Sequence, residues 1–116
     1  MINYEKNLLN QEDNHGETVL DYFIHYQKEE DSVEGLKFLI EAGADVNHKD
    51  RFGDKPIAKA FSFNHMKDIE ILLDAGTIID ENDFMRLKNT ISISCNEPYI
   101  KIKLLKRLYE IVGKKF

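Results

Sequence analysis

Four histidines, one cysteine and a pair of serines are the residues with which this chain of 116 could do chemistry. A metal ion needs several ligands converging at fixed spacing. His15, His25, His48 and His65 are scattered, and neither a His-x-x-x-His nor a Cys-x-x-Cys occurs. Cys95 shares a helical stripe with Phe84, Leu87 and Ile91, the setting of a small core residue rather than a nucleophile. Ser92 and Ser94 lack the Gly-x-Ser-x-Gly turn that exposes a catalytic hydroxyl, and no glycine-rich loop offers backbone amides to a phosphate. The carboxylates read as solvated surface and helix caps. The expectation is therefore no enzyme, no metal and no cofactor.

The elements that would position these residues recur. Leu36-Lys37-Phe38-Leu39-Ile40-Glu41-Ala42-Gly43 is matched in character by Ile69-Glu70-Ile71-Leu72-Leu73-Asp74-Ala75-Gly76, 33 residues on. Apolar residues at i, i+3 and i+4 share one helix face, and glycine accepts the left-handed conformation that ends a helix. Asp13-Asn14-His15-Gly16 and Asp50-Arg51-Phe52-Gly53 form a second matched pair, 37 residues apart, which predicts a four-residue insertion in a loop at Lys28-Glu29-Glu30-Asp31. A fixed period of this size indicates stacked structural repeats.

Each repeat reads as turn, helix, loop, helix and glycine stop. Thr18 and Asp21 have the spacing of a capping box, Pro56 suits the first position of a helix, and Ser32 and Asn64 are N-cap types before the second helices. After Asp80 the repeat loosens into a helix capped by Asn82 or Asp83, a break at Asn96-Glu97-Pro98, and a last helix with Ile100, Leu104, Leu105, Leu108, Ile111 and Val112 inward. The expected organisation is one domain with an N-terminal cap over 1–12, a first repeat over 13–49, a second over 50–82 and a degenerate closing repeat over 83–116.

A net charge of −5 argues against nucleic acid as a partner. A lone cysteine suits a reducing compartment. The first residues lack a secretory pattern and the apolar runs are too short to span a bilayer, so the expectation is a cytoplasmic protein without membrane contact.

Gly43-Ala44-Asp45-Val46-Asn47 and Gly16-x-Thr18-x-Leu20, with Asp50-x-x-Gly53, Pro56, Ala60, Leu72-Leu73 and Ala75-Gly76, resemble the ankyrin repeat. The resemblance implies an all-α fold, a short ankyrin-like repeat solenoid of stacked helix-turn-helix units. There are departures: Asp21 stands at the family's histidine position, and Phe23 and Ile24 stand where small alanines are usual. The resemblance also implies protein binding through projecting turns and first helices. Carried onto this chain, the contact positions are Asn14, His15, Glu17, His25 and Tyr26 from the first repeat, Lys49, Arg51, Phe52, Asp54, Ser62 and Phe63 from the second, and Asn82 opening a third finger. The implied partner is a protein, and an acidic binder suits a basic one. In size and charge the chain is similar to small bacterial immunity proteins of ankyrin type, which neutralise a toxin, and the chain itself is expected to be a monomer when free. The alternative is a structural piece that assembles through exposed stack ends.

Overall fold

A computed structural model describes residues 8–26 and 29–113. Its helices are α1 (Val19–Tyr26), α2 (Glu29–Glu41), α3 (Pro56–Ser62), α4 (Met66–Asp74), α5 (Glu81–Ser94) and α6 (Pro98–Gly113), and no strand occurs among the described residues. The architecture is an all-α repeat solenoid. The chain divides into two compact units, the first ending at Thr77 and the second beginning at Ile78.

In unit 1, α1 packs on α2 and α3 on α4, while α1 also packs on α3 and α2 on α4. Two helix-turn-helix repeats thus lie side by side in two layers. Leu20, Ile24, Leu36, Ile57, Ala60, Ile69 and Leu72 are completely buried. Each large aliphatic side chain removed from water contributes about 1.5–3 kcal/mol. The two helix ends that set the 33-residue period are the same motif. The Ala44 amide donates to the Leu39 carbonyl (3.0 Å) and Gly43 to Ile40 (3.1 Å); Thr77 donates to Leu72 (3.2 Å) and Gly76 to Leu73 (3.2 Å). Gly43 and Gly76, with φ of 108° and 91°, make the reversal that this pairing requires.

Several expected boundaries move. Ser32 does not cap α2, which begins three residues earlier, at Glu29. The run Glu29-Glu30-Asp31 is therefore not a loop but the first turn of that helix. Lys28 lies outside the described residues. Asn64 is not an N-cap either: at φ 58° it ends α3, with the His65 amide donating to the Ala60 carbonyl (2.9 Å) and Asn64 to Phe61 (3.1 Å). Asparagine tolerates this conformation better than most side chains. The Thr18/Asp21 box closes through Asp21, whose Oδ2 accepts the Thr18 amide (3.1 Å) and hydroxyl (3.4 Å).

The cap expected over 1–12 falls mostly outside the described residues. Within it Asn10 bonds to the first helix stop: its Oδ1 accepts the Asp45 amide (2.8 Å) and its Nδ2 donates to the Gly43 carbonyl (3.3 Å). One amide side chain satisfies the backbone on both sides of the first helix stop.

Phe23 shows how the first repeat accommodates a ring where the family favours alanine. A β-carbon on Gly35 of α2 would lie 2.1 Å from Phe23 Cε1 and 2.3 Å from Cζ. The absent side chain at Gly35 makes the space that the ring fills.

Unit 2 is α5 packed on α6, with Leu87, Ile91, Leu104, Leu108 and Val112 buried. Its first helix is capped by Asp80, not by Asn82 or Asp83. Asp80 Oδ1 accepts the Asp83 amide (2.7 Å) and Asp83 Oδ2 accepts the Asp80 amide (3.3 Å), a reciprocal box. Cys95 is buried at the end of α5, as its apolar stripe suggested.

Candidate functional site: the finger and inner-helix face of unit 1

Both fingers are built by one aspartate each, in the same way. Asp13 Oδ1 accepts the amides of His15 (2.8 Å) and Glu17 (3.0 Å), and the Asp13 amide donates to the Glu17 carbonyl (2.9 Å). In the second finger Asp50 Oδ1 accepts the amides of Phe52 (2.8 Å) and Asp54 (2.9 Å), and its own amide donates to the Asp54 carbonyl (3.0 Å). The carboxylate takes the place of a backbone acceptor and closes the loop locally. The fingers then lie against each other: the Arg51 amide donates to the His15 carbonyl (3.1 Å), and the Arg51 guanidinium donates to the Asn14 carbonyl. At that crossing a β-carbon on Gly16 would lie 2.8 Å from the Arg51 nitrogen, so only glycine fits.

Between the fingers and the inner helices lies a groove of about 330 Å³, lined by His15, Glu17, His25, Asp50, Phe52, Asp54, Lys59, Ser62 and Phe63. Most of the expected contact residues therefore converge. Asn14, Lys49 and Arg51 line a second hollow of about 310 Å³, which shares Asp50 with the groove. Tyr26 stands beside His25, 4.3 Å between ring centroids. Ser62 donates its hydroxyl to the Ala58 carbonyl (3.0 Å), which ties it to its own helix. Asn82 opens no finger: it lies in the first turn of α5, in unit 2.

Two features of this face went unread in the sequence. The first is Lys59, whose ammonium meets Asp50 Oδ2 at 2.6 Å and Glu17 Oε2 at 3.3 Å, with side chains of Lys59 and Asp50 only 12% and 4% exposed. It joins the finger of one repeat to the finger of the next. The second is a run of ring contacts beginning at Tyr22: Tyr22 to Tyr26 at 4.2 Å, Tyr26 to His25, His25 to Phe63 at 4.9 Å and Phe63 to His65 at 5.9 Å. Tyr22 and Tyr26 are four residues apart on α1, a spacing that does signal one face.

Beneath the groove Asp21 is completely buried, and its Oδ1 has no hydrogen-bond partner. Burial pushes the Asp21 carboxyl up from its ordinary range, against the Thr18 amide and the nearby Lys59 charge. Burial also raises Asp50, but the bonds from Lys59, Asp54 and Phe52 outweigh it and hold that carboxyl low. The Glu17 and His15 amides lower Asp13. Burial lowers Lys59, yet Asp50, Asp21 and Glu17 together hold it high. The signs separate. Asp13 and Asp50 contribute stability above their unfolded pKa and lose it as pH falls, and Lys59 contributes below its own and loses it as pH rises. Asp21 opposes the first two, costing more as pH rises above about 4. Asp21→Asn is therefore expected to melt progressively higher relative to the parent as pH goes from about 4 to about 7. Thermal unfolding across that range checks it; a constant or shrinking difference in Tm counts against the assignment.

Among the described residues no cluster of three His, Cys, Asp or Glu side chains is placed to hold a metal ion. His48, one of the scattered histidines, places Nε2 at 3.1 Å from the Gly16 carbonyl and 3.0 Å from Glu12 Oε1, a structural tie between turns. No described helix is long and apolar enough to cross a membrane.

Residues 20–73, spanning both repeats of unit 1, match the family model described as ankyrin repeats (many copies). That stretch consists of ankyrin repeats. Ankyrin repeats are protein-interaction modules, and the face just described is the one formed by their fingers and inner helices. No curated protein matches this ankyrin chain in sequence.

Proposed function

We propose that this ankyrin protein holds one specific protein partner in the groove between its fingers and inner helices, and that it acts by covering a basic surface of that partner. The observation that supports this most directly is the exposure of Phe52. Its ring is 78% exposed at a finger tip whose backbone is fixed by Asp50, an aromatic kept in water on a rigid support. Such residues anchor interfaces, because burying them on binding gains apolar contact at little ordering cost. Around it the groove carries the carboxylates Glu17, Asp50 and Asp54 against the single ammonium of Lys59. That balance favours a positively charged partner and speeds encounter with it. Covering a basic active surface, such as that of a toxin acting on nucleic acid, would make the protein an inhibitor of immunity type.

Phe52→Ala and Phe63→Ala test the site. Phe52→Ala is expected to weaken partner capture by about 2 kcal/mol, near thirtyfold, while leaving the melting temperature within error. Phe63, 40% exposed and in ring contact with His25 and His65, is expected to lose some stability as well. Capture is measured by pull-down from cell extract at low and high salt, followed by affinity measurement on the recovered partner. Full retention of a specific partner by both variants would place binding elsewhere on the molecule.

A further inference from the structure

The groove of unit 1 combines two kinds of wall, carboxylates and aromatic rings. Phe52 and Asp54 belong to the same finger, and one oxygen, Asp50 Oδ1, holds both of their amides at 2.8 and 2.9 Å. A ring and a carboxylate are therefore carried on one braced loop before anything binds. Phe63 brings a second ring to the groove from the end of α3, with His25 against it edge to face at 4.9 Å. The Lys59 ammonium, nearest Asp50 at 2.6 Å, balances one of the three lining carboxylates Glu17, Asp50 and Asp54. Two negative charges remain in excess, beside an exposed phenyl ring. At about 330 Å³ the groove has the volume for a side chain or two, not for a folded segment.

We propose that the groove takes an arginine side chain of the protein partner, its guanidinium lying on the Phe52 ring and donating to Asp54, with Phe63 against its aliphatic stem. This deepens the proposed function and rests on the groove being the binding face. Arginine is the one cationic side chain that uses both walls at once. Its guanidinium is flat and weakly hydrated, so a face can lie on a ring while the N–H edge still meets a carboxylate. The lysine ammonium is a compact, strongly hydrated charge, which loses more water on entering and has no plane to stack. An uncharged apolar side chain would cover the rings and leave the excess carboxylates without compensation.

The test titrates the full chain with three capped glycine-rich peptides that differ at one central residue: arginine, lysine or citrulline. Citrulline keeps the plane and loses the charge, and lysine keeps the charge and loses the plane. Binding is followed by NMR shifts at Phe52 and Phe63. The arginine peptide is expected to bind in the millimolar range, about fivefold or more tighter than either of the others, and to weaken as salt rises. Phe52→Leu is expected to erase the preference for arginine over lysine, and Phe52→Tyr to keep it. Asp54→Asn is expected to weaken the arginine peptide about fivefold and the citrulline peptide hardly at all. Equal affinity for arginine and lysine overturns the inference, as does an arginine preference that survives Phe52→Leu, or no binding by any peptide. If Phe52→Ala still weakens capture of the protein partner in those cases, the groove remains the binding face and only its occupant changes. Capture retained in full by both the Phe52 and Phe63 variants removes the groove, and this inference with it.

Discussion

Lys59→Met is expected to be among the most destabilising single changes in unit 1, at about 3 kcal/mol. Among the described residues the Lys59 ammonium is the one Lys or Arg charge lining the groove, and it serves Asp50 at 2.6 Å, Glu17 at 3.3 Å and the field of the buried Asp21. Removing one partner of a buried pair costs more than the pair is worth, because the remaining carboxylates keep their desolvation without compensation. Glu17, at 18% exposed, retains some access to water, which holds the cost near the lower end of the usual range. The loss spreads, because Asp50 also frames the second finger through Oδ1 and would reorient once Oδ2 has no cation. Urea unfolding of the variant against the parent measures the effect. Lys59→Arg, which keeps the charge, is expected to recover part of it. A Lys59→Met midpoint equal to the parent's would show the pair to be ornamental.

The second large effect is expected at Gly35. Alanine is ordinarily the better helix residue by about 1 kcal/mol, so this substitution in a helix interior would usually stabilise. Here the new methyl would stand inside contact distance of three atoms of the Phe23 ring, the nearest at 2.1 Å. Either the ring leaves its rotamer or α1 and α2 separate, and overpacking of this kind costs about 1–3 kcal/mol. Gly35→Ala is therefore expected to destabilise against the direction of helix propensity. Phe23→Ala alone removes ring contacts and also destabilises. Combining the two approaches the small-residue packing common in the family, and the double variant is expected to be more stable than the sum of the single effects by about 1–2 kcal/mol. Additive losses in the denaturation midpoints would mean that the two residues do not share this space.

These two predictions also mark where sequence reading ended. Much of what is decided within a few residues was visible: the Gly43 and Gly76 helix stops, the Asp13 and Asp50 turns, and Pro56 opening α3 all follow from local backbone chemistry. The family pattern then placed His15, Glu17, His25, Phe52 and Phe63 on one face, and the groove contains them. Contacts between residues far apart in the chain were not visible. Nothing around Lys59 announces that it reaches Glu17 of the preceding repeat, and nothing around Gly35 announces Phe23. Boundaries failed where a residue type fits two roles. Ser32 and Asn64 are both good N-cap residues, yet α2 starts earlier on the acidic run, and Asn64 serves as a left-handed stop. Asn82 failed differently, since repeating the period forward predicted a finger where the Asp80–Asp83 box had already begun a helix.

The closure of each finger by its own aspartate separates spelling from grammar. Asp13 and Asp50 close their loops through Oδ1 bonds to the backbone amides of the residues that follow, so that part of the frame is indifferent to which side chains those residues carry. His15 and Phe52 occupy the equivalent position in the two loops, one an imidazole and the other a phenyl ring, on the same backbone pattern. A lineage of such proteins can therefore rewrite what it binds one letter at a time, at the tips, without renegotiating the fold beneath.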